Sequence, residues 1–329
     1  MFLNQMKNVF LGVLFVSFCL FSCKDGGEKI RVISDKDTSF SSDVRSISKK
    51  INNDPSNADL YFKRANTFFF EEKINDAVID ISYACVLDSM NPIYFFTKGQ
   101  YLIAKDSADA SLSEKSYLKA IALKKDYYDA HSNLAYLYLA KQKYPEAEAA
   151  YFEASKIDPS NPNPLFYLGM IAKETNDTAK ALKYFEKTLA YDSKHYNALM
   201  QMGLYYAEKK DEKALLFLNN AIAVNEFSDE ALYAKGLFLQ KKGNYKEAIL
   251  FYESVSRINP AHIFCRYNLA VLFAIQNDFE NALKYIDEAI ELDETNPDLF
   301  YLRAKINDSR NDPGKAKRDF EKAESLAKK

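Results

Sequence analysis

Three histidines (His131, His195, His262) and four cysteines (Cys19, Cys23, Cys85, Cys265) are the side chains of this sequence best suited to hold a metal or attack a substrate. Their spacing suits neither task. No histidine has a second ligand one helical turn away, and there is no Cys-x-x-Cys or His-Glu-x-x-His pattern, so no metal site is expected. A Gly-x-Ser-x-Gly elbow and a phosphate-cradling glycine loop are also missing from the sequence. Carboxylate pairs such as Glu71-Glu72 and Asp287-Glu288 read as solvated helix faces. Cys85 and Cys265 lie too far apart along the chain for the close approach a disulfide needs, and read as small buried fillers. The sequence is therefore read as a non-enzyme that requires no cofactor. A formal net charge of −2, with Lys and Glu interleaved, gives no basic field, and nucleic acid is not an expected partner.

Stepping along the chain, the segment 128–161 explains what the residues are for. Leu134, Ala135 and Tyr138 share one helical stripe, and Ala147, Tyr151 and Ala154 share another. Gln142 to Tyr144 is a short polar turn between them, and Pro145 stands where a proline can begin a helix. Asp158-Pro159 ends the second helix, because proline cannot continue the hydrogen-bond ladder. Neither helix buries its stripe alone. The position of Ala135 recurs as Ala65, Gly99, Gly169, Gly203, Gly236, Ala270 and Ala304, with steps of 34, 36, 34, 34, 33, 34 and 34 residues from Ala65 onward. The position of Ala147 recurs as Ala77, Ala181, Ala214, Ala248, Ala282 and Ala316. The second copy lacks it and carries two extra residues around Asp106–Ser113. The position of Tyr151 recurs as Ile81, Tyr117, Phe185, Phe217, Tyr252, Ile286 and Phe320.

This pattern resembles the tetratricopeptide repeat family. The resemblance implies an all-α fold, a right-handed superhelical solenoid of about eight helix–turn–helix repeats, over 58–329. The repeats are placed at 58–91, 92–127, 128–161, 162–195, 196–228, 229–262, 263–296 and 297–329. The family's frequent early tryptophan is absent, and its terminal proline is kept at Pro159 and Pro260 but replaced by Ser89, Ser193 and Glu294. Residues 42–57, with Val44, Ile47 and Ile51 at helical spacing, match the second helix of a repeat and are expected to cap the array. At the far end, Lys317 and Glu324 replace apolar residues of other repeats, so the last helix is expected to face water without a cap.

Residues 1–22 read as a signal peptide, with Lys7 ahead of the apolar run Val9–Phe21. Leu20-Phe21-Ser22-Cys23 resembles a bacterial lipobox, which implies fatty acylation of Cys23 and a stable membrane attachment. Residues 23–41 are then a lipidated flexible tether. Lys24 after the cysteine resembles lipoproteins passed to the outer membrane. The expected location is thus the bacterial cell envelope, on its periplasmic or its surface face. Lys24-Asp25-Gly26-Gly27-Glu28 resembles charged surface-export tags. Asp88-Ser89-Met90, Asp106-Ser107-Ala108 and Asp177-Thr178-Ala179 are similar to an O-glycosylation acceptor; ordinary loop composition reads equally well.

In the family, first helices line a concave groove, and their fifth and ninth residues face it. The resemblance thus implies partner-binding positions at Phe62, Asn66, Phe96, Gln100, Tyr136, Phe166, Met170, Met200, Tyr233, Tyr267 and Tyr301. Rigid aromatics and methionine are what protein-binding surfaces favour; the other reading of the same stripe is packing between hairpins. The family's carboxylate clamp is not indicated, since only Asn66 agrees with it. The expected function is a scaffold or adaptor for envelope proteins or their peptide segments, in cell-wall, secretion or motility machinery. The alternative is a surface binder of glycan or nutrient, because aromatic grooves also stack sugars.

Overall fold

The structure, a computed structural model, describes residues 33–34, 37–106 and 109–328. Every regular element among them is helical. The chain divides into two compact units, one ending at Asp158 and the other starting at Pro159. In the first, helix α1 (Ser42–Asn53) packs on α2 (Ala58–Phe70), which pairs with α3 (Ile74–Leu87). Two more antiparallel pairs follow: α4 (Pro92–Lys105) with α5 (Ala110–Leu123), and α6 (Tyr128–Ala140) with α7 (Tyr144–Ile157). The second unit holds five pairs: α8 (Asn163–Glu174) with α9 (Thr178–Tyr191), α10 (Tyr196–Glu208) with α11 (Lys213–Val224), α12 (Asp229–Lys241) with α13 (Tyr245–Ile258), α14 (Ile263–Ile275) with α15 (Phe279–Leu292), and α16 (Pro297–Ser309) with α17 (Pro313–Ala327). The fold is an all-α solenoid of eight paired-helix repeats.

One backbone device makes nearly all of these hairpins. Their first helices end on a residue in the left-handed region: Glu72, Gln142, Asn176, Lys210, Gly243, Asn277 and Asn311. In the first hairpin Lys73 N–H then reaches back to the carbonyl of Phe68 at 2.9 Å, and Glu72 N–H to that of Phe69 at 3.0 Å, which satisfies carbonyls the helix leaves orphaned. The second hairpin, with its two-residue insertion, shows no such residue among those described. Caps and prolines fix the other ends. Asn91 accepts from Ile93 N–H at 3.0 Å ahead of Pro92, and Asn296 from Asp298 N–H at 3.0 Å ahead of Pro297.

Within each hairpin a small residue on the first helix meets a large one on the second. A Cβ added at Gly236 would stand 2.7 Å from the Tyr252 ring, and one at Gly99 2.5 Å from the Tyr117 ring. At Gly203 the partner is Leu218, not Phe217 as the sequence pattern suggested. The fifth hairpin's second helix follows Ala214 by the usual four residues to reach Leu218, which is fully buried, while Phe217 stacks flat on Tyr206 with ring centroids 5.5 Å apart.

The expected tether also needs correction at its end. Ile33 and Phe40 are buried in the first core with Val44, Ile51 and Phe68. Phe40 meets the edge of Phe68 at 6.0 Å, and the Lys73 ammonium lies 4.8 Å over its ring. Ser41 caps α1 by accepting from Val44 N–H at 3.2 Å. The segment read as a signal peptide, Cys23 and the segment that resembles an export tag lie outside the described residues.

Candidate functional site

The first helices carry the residues whose exposure decides what the array can touch. In the first unit, Phe62 is half-buried against Tyr94, with ring centroids 5.1 Å apart. Asn66 accepts a hydrogen bond from the Tyr101 hydroxyl, and that ring lies flat on Phe69 at 4.3 Å. Phe96 is held between Tyr117 at 5.9 Å and Tyr127 at 5.0 Å. Gln100 and Tyr136 stand in solvent, Tyr136 with 60% of its surface exposed.

In the second unit the stripe is more covered. Phe166 is 8% exposed because the His195 ring, contributed by the turn before α10, lies 5.0 Å from it. Met200 is 2% exposed, in a core with Ala231, Ala234 and Phe238 of the following hairpin. Neither is available to a partner, which corrects the expectation for both. Met170 and Tyr267 are half-buried, and Tyr301 is 48% exposed with the Lys305 ammonium 4.7 Å over its ring. Tyr233 is clamped by Tyr252 at 5.6 Å and His262 at 4.6 Å, and its hydroxyl accepts from Asn268 Nδ2 at 3.1 Å.

A recurrent arrangement explains this. The ring at the fifth position of a hairpin is covered by a ring from the turn that ends the same hairpin: Tyr127 over Phe96, His195 over Phe166, His262 over Tyr233. The two histidines also cap helices. His195 Nδ1 accepts from Ala198 N–H at 3.2 Å, and His262 Nδ1 from Cys265 N–H at 3.1 Å. Burial pulls the His195 pKa below its ordinary value, against the opposing pull of Asp192. His131 bonds the Lys125 carbonyl at 2.9 Å.

A cavity of about 310 Å³ opens between α10 and α12. Leu204, Tyr233 and Leu237 form its apolar wall, and Glu208, Glu230 and Lys241 its charged rim. Leu204 and Leu237 hold the ninth position of neighbouring hairpins, so the cavity lies on the face the repeat pattern singles out. Elsewhere, burial pushes the Cys85 thiol up to about 12 and the Cys265 thiol to about 11, so both stay protonated, and both are free. No cluster of metal-ligating side chains occurs among the described residues.

A family model described as "Tetratricopeptide repeat protein 21 second ARM domain" matches residues 46–311. The chain belongs to the tetratricopeptide-repeat family. Among its relatives, the TPR repeat-containing protein YpiA of Bacillus subtilis is 23% identical over 81% of this chain and 61% of its own length. The BBSome complex member BBS4 of Bos taurus is 24% identical over 59% of this chain and 38% of its own. The chain thus spans less than two thirds of these relatives. A crystal structure of a tetratricopeptide repeat protein from Parabacteroides merdae shares the fold, with a TM-score of 0.52 and 23% identity over 71% of this chain and 93% of that one. Tetratricopeptide arrays in general mediate protein–protein contacts.

Two polar clusters have no counterpart in the reading of the stripe. Arg64 binds Asp80 and Ser48 inside the first unit, and Arg303 binds Asp319 and Asp287 at the end of the second. Their signal in the sequence is an Arg and an Asp sixteen residues apart at the same two places of the first and last tetratricopeptide hairpins, where other copies are mostly apolar.

Proposed function

We propose that this tetratricopeptide chain is an envelope-anchored adaptor that holds extended segments of partner proteins along its first helices. The reading is carried by the cavity at Leu204, Tyr233 and Leu237. It combines an apolar wall with a rim of both charge signs, which suits an apolar side chain flanked by polar backbone. Tyr136 and Tyr301 offer further exposed rings on the same helix positions. The bovine relative is by name a complex member, a setting that suits an adaptor. Attachment is assigned to acylation of Cys23, on the strength of Leu20-Phe21-Ser22 before it. No described helix is long and apolar enough to cross a membrane.

The test is in-cell photo-cross-linking from Leu204, Leu237 or Tyr136, compared with Lys183 on a second helix. Defined envelope proteins captured from the first set and not from Lys183 support the adaptor. The same captures from Lys183 remove the first-helix face from the account. If no protein is captured but purified envelope polysaccharide retains the chain through Tyr136, a glycan binder replaces it. Labelled palmitate that fails to enter the wild-type chain, or enters the Cys23→Ala variant equally, ends the lipoprotein reading.

A further inference from the structure

In two hairpins of the second unit, an aromatic ring of the first helix lies flat on one of the second. Tyr206 stacks on Phe217 at 5.5 Å with 1° between the planes, and Phe273 on Tyr285 at 5.5 Å and 8°. The last hairpin has Asn307 and Asp319 at these two repeat positions. There, instead of a filled interior, a cavity of about 430 Å³ opens. It is lined by Asp287 of α15, Arg303 and Asn307 of α16, and Lys315, Arg318 and Asp319 of α17. Its size falls in the range of small-molecule sites, roughly 300–1,000 Å³.

The floor is tied together by one guanidinium set between two carboxylates. Arg303 donates through Nε and Nη2 to the two oxygens of Asp319, at 2.9 and 2.7 Å, and through Nη1 to Asp287 Oδ1 at 2.7 Å. Asn307 donates from Nδ2 to Asp319 Oδ2 at 3.3 Å, which fixes the orientation of its amide. Its Oδ1 has no partner among the described residues although the residue is 3% exposed. Buried acceptors of this kind are rare, and a donor from a bound molecule relieves them.

The walls are not neutralised. Arg318 uses only Nε, toward the Gly314 carbonyl at 3.3 Å, so its two Nη groups have no partner among the described residues. Lys315 has one loose ion pair, to Asp312 at 3.7 Å. Across from them Asp287 spends one oxygen on Arg303 and leaves Oδ2 open among the described residues. Cationic and anionic groups thus face one cavity from α17 and α15. We infer that this cavity binds a small zwitterion of the free amino-acid or dipeptide class, its carboxylate on Arg318 and Lys315 and its ammonium on Asp287. A guanidinium fork fits a carboxylate with two parallel bonds, and the acid on the other wall selects against a simple anion.

The experiment is calorimetric titration of the full chain with L-alanine, L-glutamate and glycylglycine, and with acetate and ethylamine as single-charge halves. At least one zwitterion binds with a Kd of about 1 mM or tighter, and each half binds at least about tenfold more weakly. Arg318→Gln, an exposed change that leaves the fold intact, weakens binding about tenfold. A triple variant, Arg303→Leu, Asn307→Phe and Asp319→Tyr, installs the seventh hairpin's Leu269, Phe273 and Tyr285 and abolishes binding. No zwitterion binding up to about 10 mM overturns the proposal. So does acetate binding as tightly as alanine, or binding that survives Arg318→Gln unchanged.

Discussion

Arg64 reaches across its hairpin to Asp80 with two parallel bonds, Nε to Oδ2 at 2.6 Å and Nη2 to Oδ1 at 2.9 Å, and both side chains are buried. Its third contact, Nη1 to Ser48 Oγ at 3.0 Å, ties the hairpin to α1. Arg303 and Asp319 repeat the arrangement in the last hairpin, with Asp287 where Ser48 stands in the first. The seventh hairpin has Leu269 and Tyr285 at the same two positions, so the fold accepts an apolar pair there as well as an ionic one.

Removing one member alone is therefore costly. Asp80→Ala leaves a buried guanidinium unpaired and lowers stability by about 3–5 kcal/mol in urea unfolding, whereas the double change Arg64→Leu with Asp80→Tyr recovers most of it. Asp319→Ala costs less, because Arg303 is partly exposed and keeps Asp287.

The left-handed turn residues give a pair of opposite effects. A Cβ at Gly243 meets nothing within 4 Å, so Gly243→Ala tests the backbone alone and destabilises by about 1–2 kcal/mol. Lys210, with φ of 57°, already bears that strain, and Lys210→Gly raises stability by up to about 1 kcal/mol. Thermal unfolding of the two variants against wild type checks both signs.

Gly236→Ala drives a methyl group into the Tyr252 ring and costs about 1–3 kcal/mol by overpacking. Ala65 faces Ile81 and Ala270 faces Ile286 at the same places of other hairpins, all four fully buried. Tyr252→Ile therefore relieves the strain of Gly236→Ala in a double-mutant cycle, although by itself it loses the hydroxyl's bond to Gln240.

Stability should fall with acid through His195. Its Nδ1 must stay unprotonated to accept from Ala198 N–H, and burial holds its folded pKa below the ordinary value of about 6.5. As pH drops below that value the unfolded chain takes a proton that the folded chain refuses, so stability declines until the folded pKa is reached. His195→Asn keeps a capping side chain and flattens that part of the pH profile of unfolding.

Exposure separates binding from folding on the first helices. Met200→Ala removes a buried side chain and costs about 2–5 kcal/mol. Leu204→Ser, on the cavity wall, changes stability little and reduces partner capture. Parallel unfolding and cross-linking distinguish the two.

The sequence by itself determined the repeat: its small residues at steps near 34, its second-helix alanines and its proline stops fix which residues are helical and which helices pair. Those features are local, because a small residue is needed wherever two helices of one hairpin come close. What the sequence could not decide is which side chain of a helical stripe ends up covered. Periodicity marks the face of a helix but not the neighbour that reaches over it. Phe166 is hidden by His195 and Met200 by the following hairpin, while Tyr301 at the equivalent position stays 48% exposed. In the fifth hairpin, shortened by one residue, the four-residue step from Ala214 already points to Leu218 rather than Phe217, and the docked helices place Leu218 against Gly203. The cavity at Asn307 is likewise a property of tertiary structure: two aromatic rings that fill one hairpin are replaced by two polar residues in another, and only packing shows the space they leave.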